Sequence, residues 1–387
     1  MGAGPAGLVL ANVLHRAGIE VAVWERHSAA HLEQRARAGM MEHRVADYLR
    51  AQGLSAGLDA RAIRHGWCEF LCLDRRITVD YLAAGGAGHW MYPQQQLVGD
   101  LLAELARAGN PVRLETPVLG VGQDAAGRAV IRVAEQGTER SVGCAYLVGC
   151  DGAHGVVAES FPASASRVLR RRYPFDWLTV LAELTRPVPG VRYALHERGF
   201  AGMMPRAGDT GRLYLEIPQG EDPAHWPEER VRAELATRLR PRPDDPRVLR
   251  LLDTGVVRLH SQVRERLRHQ RVFLAGDAAH LLTPSGGKGL NLAVADAADL
   301  AESLIRALRR GDTTALDGYE ERRLRATWRT QEFSDRLIDL LHLPREARDP
   351  VEREFELRLR LARLHALAEP GPRAVDFARD YAGAGTL

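Results

Sequence analysis

Lysine is almost absent from this chain: 53 residues are basic, yet Lys288 is the one lysine. So thorough a replacement by arginine looks like the codon preference of a GC-rich genome, not a phosphate-binding surface. The arginines are interleaved with acids, as in Glu228-Glu229-Arg230 and Glu320-Glu321-Arg322-Arg323, the pattern of solvated helix faces. A formal charge of +3 without a basic patch leaves nucleic-acid binding no footing. Long apolar runs are missing too: none approaches the ~18 residues of a spanning helix, and no signal peptide precedes the first glycines, so the sequence predicts no membrane association and a cytoplasmic location. Cysteine is scarce. Cys68, Cys72, Cys144 and Cys150 lie among apolar residues with no second pair at zinc-like spacing, which predicts buried free thiols and neither metal nor disulfide. Repeats and low-complexity segments are absent.

At 387 residues the chain predicts two intimately joined domains. Its most informative stretch is the first: Gly2-x-Gly4-x-x-Gly7, a helical run whose buried face is Ala6, Leu8, Val9, Leu10, Val13 and Leu14, then a strand-like Val21–Trp24 ending on Glu25. In a dinucleotide-binding unit the first glycine permits a tight turn, the second admits a pyrophosphate to the backbone N–H groups, and the third lets helix pack on strand. Glu25 is then placed to accept from ribose hydroxyls. Such a unit needs an apolar strand of ~5–6 residues before its first glycine, and only Met1 precedes Gly2. The expectation is either a start codon assigned too far downstream or a shortened product.

Beyond Glu25 the pattern predicts a helix over Met41–Gln52, strands over Trp67–Leu73 and Ile77–Tyr81, and a helix over Gln94–Arg107. A β-meander follows over Val112–Glu115, Val118–Gly122, Ala129–Val133 and Arg140–Val148. A sheet-rich stretch has strands at Trp177–Glu183, Val191–Leu195, Gly199–Met204 and Arg212–Ile217 with a helix at Glu228–Leu239. After a short buried strand at Val272–Ala275, helices are expected over Gly289–Arg309, Tyr319–Leu341 and Val351–Leu367.

Three glycine/acid elements thus stand in order: the N-terminal glycines with Glu25, then Asp151-Gly152, then Gly276-Asp277. Each alone is more often a turn or cap. Together they resemble the aromatic-ring hydroxylase family of FAD-dependent monooxygenases. Arg35-Ala36-Arg37-Ala38-Gly39, Cys150-Asp151-Gly152-Ala153-His154-Gly155, Arg172-Tyr173-Pro174-Phe175-Asp176-Trp177-Leu178, Leu274–His280 and Pro284–Asn291 look like the branch that acts on 4-hydroxybenzoate. The resemblance runs from Gly2 to about Tyr381.

It implies an α/β (α+β) fold: a discontinuous Rossmann-type FAD domain (1–66, 94–160, 260–330) lacking its first strand, an inserted substrate-binding sheet domain (67–93, 161–259) and a C-terminal helical region (331–387). It implies non-covalent FAD reduced by NADPH, with NADH as the other nicotinamide, and O2 forming a flavin C4a-hydroperoxide that attacks a small aromatic acid ortho to its phenol. Dimers are common in this family, so a homodimer is compatible with it. By the resemblance Gly2, Gly4, Gly7, Glu25, Arg35, Arg37, Gln94, Asp151, Gly276, Asp277, Lys288, Gly289, Leu290 and Asn291 hold the cofactor. The helix opened by Pro284–Asn291 would stabilise negative charge at the flavin N1/C2 edge, with Lys288 as electrostatic support. Tyr193 would meet the substrate phenol, Tyr381 and His65 would carry its proton outward, and Pro284 would offer its carbonyl. Arg206 and Tyr214 would grip the carboxylate, and Arg26, His31 and His154 would meet NADPH.

Two positions depart from the family. Met204 stands where a serine hydrogen-bonds the carboxylate, and Ala158 replaces the arginine that often closes the Asp151 segment. Met204 supports an alternative aryl acid, such as an aminobenzoate or a biosynthetic aromatic intermediate. The missing strand supports another alternative, a truncated, flavin-free protein with a binding or vestigial role.

Overall fold

Glycine decides how the chain begins. The computed structural model describes residues 1–34, 39–135, 137–206, 208–344 and 349–383. Gly2 has φ +92°, and a Cβ there would strike the backbone of Cys150 and Asp151. A Cβ on Gly7 would fall on the carbonyl oxygen of Gly2, so helix Pro5–Arg16 (α1) can start against the turn only because both side chains are missing. The Met1 amino group donates to Val148 O at 2.7 Å, the Cys150 N–H donates to Met1 O at 2.7 Å, and the Gly2 N–H donates to Trp24 O at 2.8 Å. The strands expected at Val21–Trp24 and Val112–Glu115 shrink to one parallel bridge, Trp24 with Arg113. The reason is local: Arg113 exchanges its bonds with Val23 O and Glu25 N–H, but Glu115 turns left-handed with φ 53°, so Glu25 O accepts from Thr116 N–H at 2.9 Å instead of from Glu115 and the ladder ends after one residue.

Helix α1 buries the predicted face, Ala6 through Leu14, against helices Gln94–Arg107 (α2) and Lys288–Arg310 (α3). Around them lie short sheets: Leu147–Gly149 beside Val272–Leu274, and the predicted meander as Val118–Gln123, Ala129–Glu135 and Thr138–Cys144. Helices Tyr319–Leu341 (α4), Pro350–Ala368 (α5) and Pro372–Tyr381 (α6) follow.

A seven-stranded sheet collects segments far apart in sequence. Its strands are Trp67–Cys72 (β1), Arg75–Asp80 (β2), Phe175–Leu184 (β3), Val191–Leu195 (β4), Ala201–Pro205 (β5), Thr210–Pro218 (β6) and Val248–Val257 (β7). Their order is β7-β3-β6-β5-β4-β1-β2, antiparallel except where β4 runs parallel to β1. Register puts Phe70, Tyr193, Gly202, Tyr214 and Thr179 in one row across it, so all five project to one face. Strand β7 and helix α6 were not foreseen. Register shifts where β3 meets β7, at Leu181/Ala182 and Glu183/Leu184, break the two-residue alternation by which an edge strand is recognised.

Lys288 is the junction of these parts. It is 2% exposed, and its ammonium donates to Glu42 at 2.8 Å and to the Tyr381 carbonyl at 2.6 Å. Glu42 is itself fully buried. Removing one partner of a buried pair strands the other charge, at a cost of about 3–5 kcal/mol. Lys288→Met and Glu42→Gln should each lower stability by that order, and the double substitution should cost less than the sum of the two. Denaturant unfolding of the three variants checks this; additive single effects would contradict it.

Candidate active site

A cavity of about 660 Å³ runs from the glycine turn to the sheet face. At its first end two helices begin without a side-chain cap: α1 after Gly4 and α3 after Gly287, whose φ of 64° is left-handed. Ser, Thr, Asp or Asn ordinarily satisfies such N–H groups. With none present, both positive helix ends are left for an anionic or carbonyl-bearing ligand. A Cβ on Gly4, Gly152 or Gly289 would meet nothing within 4 Å, and all three residues line the cavity. So do Gly2, Glu25, Gln94, Asp151, Gly276, Asp277, Lys288 and Leu290.

The acids here are fixed by backbone donors. Glu25 accepts from Ala3 N–H at 2.8 Å and from His27 N–H at 2.9 Å. Asp151 accepts from Val157 N–H at 3.1 Å through Oδ2, while its Oδ1 is buried with no partner among the described residues. Burial holds its carboxyl above the usual range. A buried acceptor facing a cavity asks for a donor such as a ribityl hydroxyl. These features fit FAD.

The other end of the cavity is lined by Thr179, Arg206, Arg212, Tyr214, Val257 and Pro284. Burial pulls the Arg206 guanidinium below the usual arginine range, and Arg212 adds to the effect. Neither arginine has a carboxylate partner among the described residues, although Arg212 is only 7% exposed. Desolvated, unpaired cations side by side are costly, and an anionic ligand relieves both. Sequence reading missed Arg212 and Thr179. The signal for Arg212 was present, because a residue two before Tyr214 on one strand shares its face; Thr179 joins them only through the β3–β6 register.

The Tyr193 and Tyr381 hydroxyls are 2.9 Å apart, and burial pushes both above the ordinary tyrosine range. They lie beside the cavity wall, not among the residues lining it. His65 does not bond this pair. Its Nε2 accepts from Val191 N–H at 3.1 Å, so the ring proton sits on Nδ1 and is donated to Tyr81 at 2.6 Å. Burial lowers its pKa to about 4. Tyr81, packed against the Tyr381 ring with centroids 5.2 Å apart, was not anticipated from sequence, because only the fold joins it to either partner.

Other expected residues are placed differently. Lys288 has its ammonium engaged by Glu42 and Tyr381 rather than left for a ligand, and the Asn291 side chain, outside the cavity lining, bonds the backbone at Met40, Glu42 and Gly287. Both tie the loop instead of lining it with free polar groups. Met204 does not line the cavity; it sits on β5 opposite Arg212. Arg26 and His154 are at the cavity, whereas His31 lies outside it, stacked on His27 with ring centroids 4.0 Å apart. Arg35 and Arg37 fall outside the described residues.

A model of the FAD binding domain matches residues 1–334. The p-hydroxybenzoate hydroxylase of Acinetobacter baylyi is 32% identical over 99% of this chain and 94% of its own length. Aklavinone 12-hydroxylase RdmE of Streptomyces purpurascens is 31% identical over 84% of this chain and 64% of its own. Among solved structures, aklavinone-11 hydroxylase with FAD and aklavinone superposes with a TM-score of 0.74 at 26% identity, covering 89% of this chain and 69% of that one. The p-nitrophenol 4-monooxygenase PnpA from Pseudomonas putida shares the fold over 99% of this chain and 96% of its own, with a TM-score of 0.80 at 20% identity. The open glycine cradle, the two uncapped helix ends and these likenesses lead to one conclusion: the chain belongs to the FAD-dependent aromatic hydroxylases, a monooxygenase family, and its cofactor is FAD.

Proposed function

We propose that this enzyme hydroxylates 4-hydroxybenzoate ortho to its phenol, giving 3,4-dihydroxybenzoate, with NADPH and O2 as co-substrates. The observation that carries the reading is the unpaired, desolvated Arg206 beside Tyr214, in the same cavity as the FAD cradle. A planar guanidinium meets a carboxylate bidentately, and Tyr214 adds a hydroxyl donor. Bound FAD, once reduced by the nicotinamide, supplies the activated oxygen. The chain's own residues position and activate the ring. Tyr193, hydrogen-bonded to Tyr381, takes the phenol at the far side of the row, and because burial keeps both tyrosines protonated the pair relays the phenol proton from hydroxyl to hydroxyl to bulk water, the final acceptor, without itself ionising. Removing the phenol proton makes the ring a better nucleophile. Arg212 adds positive charge near the carboxylate, and the walls of the cavity exclude water.

Arg26 and His154 at the cavity, with His31 nearby, are where NADPH is recognised in this reading. Since that co-substrate is intracellular, the enzyme works in the cytoplasm. A second reading, another aryl acid such as an aminobenzoate or a biosynthetic intermediate, is favoured by Met204 on the strand that faces Arg212. The flavin-free alternative is set aside by the FAD-binding family match and the open cradle.

A panel of aryl acids scored for stimulated NADPH oxidation together with hydroxylated product tests the reading. 4-Hydroxybenzoate should stimulate oxidation and yield 3,4-dihydroxybenzoate; oxidation without that product, or a better-coupled aminobenzoate, would transfer the assignment to the second reading. Arg206→Ala should weaken binding of the acid by about 2–5 kcal/mol while FAD content stays as in the unmodified enzyme. A dissociation constant unchanged by that substitution would mean Arg206 does not hold the ligand.

A further inference from the structure

The turn that carries Asp277 is closed from behind by a carboxylate. Asp296, on helix α3, is fully buried and lies outside the cavity lining. Its Oδ2 accepts from the Gly276 N–H at 2.9 Å and from His280 Nε2 at 2.7 Å, so one oxygen joins the two ends of the segment Gly276–His280. Its Oδ1 accepts from Arg323 Nε on α4 at 2.7 Å. Burial opposes this charge, yet His280 and Arg323 hold the carboxyl below the usual carboxylate range. The His280 side chain has no second anchor, because its Nδ1 is buried without a partner among the described residues. Of the joined segment, Gly276 and Asp277 line the cavity and His280 does not. Gly276 is left-handed, with φ 62°, and a Cβ there would stand 3.3 Å from the Cβ atoms of Ala6 and Ala293, which places the turn between α1 and α3. Glycine has the widest choice of backbone conformations, so a turn that hinges on it needs an outside contact to select one.

We propose that Asp296 is a positioning residue for FAD: by clasping Gly276 and His280 through one oxygen, it holds Asp277 where the ribityl chain of the cofactor needs an acceptor. Arg323 balances the charge of the clasp and couples it to α4, on which Tyr319, one turn earlier, donates to the Leu274 carbonyl at 2.9 Å. The inference takes Asp277 to meet the ribityl chain, as its motif implies, and is independent of which aryl acid is bound. Ordering a loop costs free energy that is otherwise drawn from ligand binding. A turn already clasped leaves that energy for the cofactor, and a turn released from the clasp must be ordered by FAD itself.

The test compares the holoenzyme with His280→Leu, His280→Gln and Asp296→Asn. Fluorescence of FAD released on dilution gives the FAD dissociation constant. Displacement of FAD by ADP gives the constant for a ligand that has the adenosine and pyrophosphate but no ribityl chain. His280→Leu, which removes the donor and keeps the bulk, should weaken FAD binding about tenfold, the loss expected of one hydrogen bond to a carboxylate, with the ADP constant unchanged. His280→Gln, whose amide donates to the same oxygen, should recover most of that loss. Asp296→Asn should weaken FAD at least as much as His280→Leu, and the two histidine variants keep the test open if the asparagine variant, which sets an amide N–H against Arg323, does not fold. An FAD constant that His280→Leu leaves unchanged overturns the clasp. So does an equal loss of FAD and ADP affinity, the mark of a general structural role, or a glutamine variant no better than the leucine one.

Discussion

One buried ammonium holds the halves of this enzyme in register. Lys288 opens helix α3 at the cofactor end of the cavity, pairs with Glu42, and donates to the backbone carbonyl of Tyr381. The same carbonyl accepts from His89 Nε2 at 2.8 Å, so the last helix is anchored at two points. Tyr381 then reaches Tyr193 on the seven-stranded sheet. A chain of short, desolvated polar contacts thus runs from the glycine-rich loop to the substrate face, and each contact is costly to break because no water replaces it. Arginine would not serve at the junction: its planar fork carries five N–H donors, more than the Glu42 carboxylate and the one Tyr381 carbonyl lone pair left by His89 satisfy. That is a physical reason for a lysine to persist in a chain that otherwise uses arginine.

The cavity is built by omission. Helices α1 and α3 start at glycines with no capping side chain, and Gly4, Gly152 and Gly289 leave open space where other residues would place a Cβ. Among the described residues Arg206 and Arg212 have no acid such as Asp245, which pairs with Arg76 and Arg192. Uncapped helix donors and an Asp151 oxygen with no partner among the described residues carry a desolvation penalty. Ligands that supply phosphate, hydroxyl and carboxylate groups convert them into binding energy, which is how a preorganised site gains affinity without moving far.

Short motifs were legible because their physics is local. A Gly-x-Gly-x-x-Gly turn followed by a buried helical face needs few residues to declare itself, and Gly2 and Gly7 lie against backbone as the spacing demands. Helices Gln94–Arg107, Glu228–Leu239 and Tyr319–Leu341 coincide with their expected spans, since amphipathic periodicity accumulates over three or more turns. Strand Val248–Val257 escaped because bulges in its pairing spoil alternation, and the pairing of Val21–Trp24 with Val112–Glu115 dwindled because Glu115 turns left-handed after one bridge.

By itself, then, the sequence determined the cofactor turn, the order of glycine/acid elements and the family they resemble, all of which rest on residues a few positions apart. Tertiary structure alone decided what each polar group faces. Lys288 and Asn291, read as groups for the cofactor, turn out to tie the loop to Glu42 and Met40. His65 is joined to Tyr81, and Arg212 stands beside Arg206 at the cavity. Gly202 comes to lie between two tyrosines only through pairing with strands 191–195 and 210–218. Side-chain direction and partnership depend on strand register and helix packing between distant segments, and neither has a signature at the spacing of a motif.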